Sequence, residues 1–134
     1  MYTEVFFRAA LVPNLPDEVL APLRAMLGQV EVDRGGLPEH ELFNCPRWDM
    51  LARGSSYYFP EHMQSALTKD DIRKQWCLAL HADLKNYHDE IEKFFDWIDP
   101  YVDASPGEFI GYSLYEDVGP DESPINYYKK DVSA

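Results

Sequence analysis

Between Leu84 and Tyr115 the chain reads LKNYHDEIEKFFDWIDPYVDASPGEFIGYSLY, and this segment leaves little freedom of fold. Ile91, Phe94, Phe95, Ile98 and Val102 recur at helical spacing, with Glu92, Asp96 and Asp99 on the other side. That is the pattern of an amphipathic surface helix. Asn86 is the natural N-cap, because its side-chain oxygen accepts a backbone N–H that the first turn leaves over, and Asp89 falls at the third helical position. Pro100 lies near the helix end, and Pro106-Gly107 turns the chain into a strand over Glu108–Glu116. Upstream, Arg73–Lys85 alternates, with Trp76, Leu78, Leu80, Ala82 and Leu84 on one face and Cys77, Ala79, His81 and Asp83 on the other. A strand, a helix that must bury one stripe and a second strand call for a sheet with the helix packed upon it.

The opening of the chain repeats this plan. Thr3–Val12 alternates as a half-buried strand, with Val5, Phe7, Ala9 and Leu11 on one side. Pro13 to Pro16 breaks it and opens a helix with Asp17 and Glu18 in the first turn, where the helix dipole favours anions. Val19, Leu20, Leu23, Met26 and Leu27 form its apolar stripe, and Gly28 is its stop. Val30 and Val32 fit a short strand. Leu37–Pro46 reads as a loop, Arg47–Pro60 as one strand kinked at Gly54 or two strands turning there, and Glu61–Asp71 as a polar stretch with a helical turn. The order strand, helix, one or two strands, strand, helix, strand predicts an α+β domain over residues 1–116. Its antiparallel sheet of four to five strands carries two helices on one face, ferredoxin-like or a variant. Residues 117–134, acidic and then basic, read as an extended C-terminal tail anchored by Tyr127 and Tyr128.

Charge narrows the partners. Twelve Lys and Arg stand against 24 Asp and Glu, for a net charge of −12. Residues 86–123 hold eleven acids and one base, Lys93, whereas residues 1–85 hold twelve acids and nine bases. Nucleic acid would be repelled, since its binding rests on Lys and Arg neutralising phosphates. A basic protein would be attracted, through steering or mimicry of a phosphate backbone, with Glu92, Asp96 and Asp99 as the exposed helical charges. The structural alternative is a solubilising face. No apolar run approaches the ~20 residues that span a bilayer, and the N-terminal MYTEVFFRAALVP lacks the basic start and cleavage site of a signal peptide. Two cysteines, Cys45 and Cys77, are too few for a disulfide framework, so a reducing cytoplasm is expected.

Candidate chemistry is sparse. His40, His62, His81 and His88 occur with neither a CxxC nor an HExxH, and Cys77 and His81 lie about 13 Å apart along a strand, so neither metal nor cofactor is expected. Ser55 and Ser56 lack the GxSxG elbow. His81 and Asp83 share a strand face, as base and orienting carboxylate do, which supports a small hydrolase as the weakest of three readings. The richest polar-aromatic patch is Arg47, Trp48, Arg53, Tyr57, Tyr58 and His62, followed by Lys69, Arg73 and Lys74. Guanidinium groups beside aromatic rings stack a base and hold its phosphate.

The run NYHDEIEKFFDWIDPYVDA, with the flanking strand and the earlier PEHELF and SSYYF segments, resembles a group of small, uncharacterised proteins encoded by actinobacterial phages. The resemblance covers most of the chain and carries no catalytic or binding residues. It implies a phage accessory protein acting in the host cytoplasm, against host physiology or antiviral defence. The leading expectation is therefore a non-enzymatic sponge that sequesters a nucleotide immune signal. The alternative is an acidic inhibitor of a basic, nucleic-acid-binding host protein. Exposed sheet aromatics would also suit a homo-oligomer.

Overall fold

A computed structural model describes residues 3–53, 64–86, 88–115 and 125–132. Five strands, Thr3–Ala10 (β1), Ala66–Asp70 (β2), Gln75–Leu84 (β3), Phe109–Tyr115 (β4) and Ile125–Lys129 (β5), form one antiparallel sheet in the order β2-β3-β1-β4-β5. Two helices, Asp17–Met26 (α1) and Glu90–Ile98 (α2), complete an α+β fold of ferredoxin-like order, with β5 added beside β4. No helix among the described residues is long and apolar enough to cross a membrane.

The central strand sets the core. Val5 and Phe7 of β1 are fully buried, with Leu78, Leu80 and Ala82 of β3 beside them. The alternation read from the sequence is the alternation in space, because each strand buries one face of its pleat. Phe94 of α2 meets Phe7 edge to face at 5.5 Å, and Val19, Leu23 and Met26 of α1 join the same cluster. Gly28 ends α1 with a φ of +74°, a left-handed conformation that glycine adopts without steric cost. Its N–H donates to the Ala25 carbonyl and that of Gln29 to the Arg24 carbonyl, closing a Schellman cap.

Several expectations give way. Val30 and Val32 form no strand, since neither has a sheet neighbour to pair with. Within Leu37–Pro46 a 3₁₀ turn, Glu41–Asn44, buries Leu42 and Phe43. The first part of Arg47–Pro60 is also a 3₁₀ turn, Trp48–Met50, and not a strand, while residues 54–60 lie outside the described residues. Aromatic content signalled burial there, but burial on a turn rather than on a pleat. Ala66–Asp70, expected as polar coil with a helical turn, is the edge strand β2, where one-sided solvent exposure permits a polar sequence. Helix α2 starts later than its sequence suggested: Asp89 is the cap residue, with φ +56°, not the third helical position. Asn86 still accepts the Ile91 N–H on its side-chain oxygen at 3.0 Å, so the capping residue was legible and its spacing was not.

The segment expected as a tail contains β5. Tyr128 stacks on Phe95 with ring centroids 3.8 Å apart and planes at 4°, which holds β5 against α2. Lys130 then places its ammonium on the Asp99 carboxylate at 3.3 Å and on the Asp99 carbonyl, while the Asp131 N–H donates to Asp99 Oδ1.

Candidate functional site

The nucleotide patch is not gathered in one place. Trp48 is only 8% exposed and packs edge to face on Phe43 at 5.1 Å, so no open ring face remains on which a base could stack. Arg53 holds Asp49 at 3.0 Å. Both Trp48 and Arg53 line a cleft of about 660 Å³ beside the α1 C-terminus, but so do Glu31 and Asp49. Two carboxylates and the negative end of a helix dipole disfavour a phosphate there. Arg47 is exposed and does not line the cleft. Arg73 and Lys74 sit in the β2–β3 turn, Arg73 facing Asp70 at 4.0 Å. Tyr57, Tyr58 and His62 lie outside the described residues.

His81 and Asp83 do not pair as base and orienter. Antiparallel register places Phe6 opposite His81 and Glu4 opposite Asp83. The His81 Nε2 is buried 3.3 Å from Glu4 Oε2, while Phe6 meets the imidazole edge to face at 5.8 Å and stacks on Tyr112 at 5.3 Å. Tyr112 Oη donates to Glu4 Oε2 at 2.6 Å. Burial first, and then the bond to Glu4 and its charge, push the Tyr112 phenol up to about 12. Among the described residues the His81 ring has no hydrogen bond to a serine, threonine or cysteine that it could activate. Glu4 and Tyr112 were not singled out in the sequence, because only register brings residues so distant along the chain to one point. No cluster of three or more His, Cys, Asp or Glu fit to hold a metal occurs among the described residues.

The acidic helix is better organised than its sequence indicated. Glu92 and Asp96, one turn apart, are exposed, and Asp96 is 82% exposed while accepting a contact from His40 Nε2 at 2.9 Å. That contact carries the exposed Glu39 and Glu41 to the flank of α2. Asp99 departs from expectation: its side chain is 18% exposed and tied to Lys130, so it serves the fold instead of the outer face. Glu92 and Asp96 rim a groove of about 450 Å³ between α2 and β5. Phe95, Pro100, Ile110 and Tyr128 floor it, Asp131 adds a third rim carboxylate, and Lys129 stands at its edge. Burial raises the Tyr128 phenol above its ordinary value, and nearby Glu92 adds to the rise while Ser113 opposes it. An apolar floor under a carboxylate rim suits a lysine or arginine side chain, whose stem buries on rings while its head stays with the anions.

Comparison with protein-family models, curated proteins and solved structures gives no match.

Proposed function

We propose that the chain is a binding protein that docks on a basic protein partner through the groove between α2 and β5. One observation carries this reading: Glu92 and Asp96 rim an aromatic-floored groove, and Glu39 and Glu41 extend the same negative surface across the neighbouring turn. A buried aromatic anchor point ringed by charge combines steering with a defined seat. The phage resemblance supplies the setting, an accessory protein that occupies the nucleic-acid-binding surface of a host protein. A nucleotide sponge belongs to the same class but has less support, because Trp48 lacks an open face and Arg53 is neutralised by Asp49.

The test uses Lys/Arg-rich peptides and the Glu92→Gln, Asp96→Asn double variant. At about 0.01 M salt, where screening reaches only beyond ~30 Å, the variant should associate roughly tenfold more slowly than the wild type. The difference should shrink to under about twofold at ~0.5 M salt. Equal rates at both salts, with the fold intact by circular dichroism, would remove the groove from the function.

A further inference from the structure

The face of the sheet opposite the helices carries a second concavity, of opposite electrostatic character. Register aligns two rows across β1, β3 and β2: Arg8, Ala79 and Ala66 in one, Ala10, Cys77 and Thr68 in the next. Five of these six side chains are small, so together they sink a trough of about 520 Å³ into an otherwise ordinary pleated surface. The next row along is Phe6 with His81, whose rings stand taller at one end. Arg8 is exposed, and among the described residues its guanidinium has neither a hydrogen bond nor an ion pair. The chain has twice as many acids as bases, yet among the described residues no carboxylate lines this trough.

We infer that this trough is a binding site for a small planar anion, an aromatic ring bearing a carboxylate or a phosphate. The methyl groups of Ala10, Ala66 and Ala79 offer van der Waals contact to a ring face, and the Thr68 hydroxyl and Cys77 thiol stand beside them. The free guanidinium presents its fork to two oxygens of a carboxylate or phosphate, a bidentate geometry that a lysine would not match. Size agrees, since clefts of roughly 300–1,000 Å³ hold small molecules. The trough is independent of the acidic groove, and each stands if the other fails.

Cys77 on the trough floor reports occupancy directly. It is half-buried, whereas Cys45 is 3% exposed. Each half of dithiobis(nitrobenzoate) is a flat aromatic carboxylate: the Cys77 thiolate attacks one of its sulfurs, a mixed disulfide forms, and thionitrobenzoate leaves with the electron pair. With wild-type protein the rate should saturate with reagent concentration, and phenyl phosphate and 4-hydroxybenzoate should each slow it, testing phosphate and carboxylate separately. Arg8→Gln should lower the rate about tenfold and abolish protection, as loss of a charge-assisted contact predicts. Neutral dithiodipyridine should react equally with both proteins, which separates anion recognition from general access. Ala79→Leu, on a face with room for it, should block protection while leaving the unfolding midpoint unchanged. A rate linear in reagent, unaltered by Arg8→Gln, or without protection by either probe at millimolar concentration, would overturn the site.

Discussion

Gly111 sits where β4 lies closest to its surroundings, which makes Gly111→Ala the sharpest test of the packing. A Cβ built there would stand 2.7 Å from Cζ of Phe95 and closer still to the Phe6 carbonyl oxygen. Neither neighbour can yield cheaply. The Phe6 carbonyl belongs to the central strand, and Phe95 is pinned between Tyr128 and Phe94, with ring centroids at 3.8 and 5.7 Å. Overpacking costs about 1–3 kcal/mol where side chains can shift, so a contact with main chain should cost about 3 kcal/mol or more. For a chain of this size that corresponds to a fall of roughly 10–15 °C in Tm. Urea unfolding followed by tryptophan fluorescence would report it, since Trp48 and Trp97 are both buried. Phe95→Leu removes the ring edge but not the carbonyl, so Gly111→Ala should still cost over about 2 kcal/mol in that background, as a double-mutant cycle would measure. A cost below about 0.5 kcal/mol in the wild-type background would refute the close approach of β1, β4 and α2.

Phe94→Ala removes a fully buried ring that meets both Phe7 and Phe95 edge to face, and should cost about 3–5 kcal/mol in the same assay; under 1 kcal/mol would mean α2 does not dock on β1. Tyr112 gives a pH signature: with its native phenol pushed up to about 12, its contribution is present below the unfolded value near 10 and lost as pH rises through about 10 to 12. Tyr128, also raised, acts with the same sign, so the alkaline fall in urea midpoint should be shallower in Tyr112→Phe but not absent; identical slopes would contradict the Tyr112–Glu4 contact.

Legibility in the sequence followed periodicity. β1, β3, α1 and the body of α2 were readable because each buries a regular stripe and keeps the other side polar. The stretch from Leu37 to Arg53 was not, because Leu42, Phe43, Trp48 and Leu51 are buried on or beside 3₁₀ turns whose spacing matches neither a helix nor a strand. β5 was hidden by its neighbours: Gly119-Pro120 and Ser123-Pro124 suggested a tail, although Tyr127 and Tyr128 alternate between the outer and inner sheet faces. Among candidate site residues, Glu92 and Asp96 were legible as exposed helical charges. Their apolar floor was not, because Phe95, Ile110 and Tyr128 come from three separate elements. Arg8 drew no attention as one base on an alternating strand; its significance appears only once Ala79 and Cys77 are beside it.

The placement of β1 at the middle of the sheet has a consequence for how the molecule comes into being. Phe7 pairs with Leu80 on one side and Gly111 on the other, so the strand at the start of the chain waits for partners made much later. During synthesis an apolar strand with both edges unpaired is therefore exposed before either neighbour exists, a state open to aggregation. Non-local pairing of this kind also slows folding, because long loops must close before any contact rewards them. A variant that weakens β1 should thus lower soluble yield in cells more than its equilibrium stability would suggest.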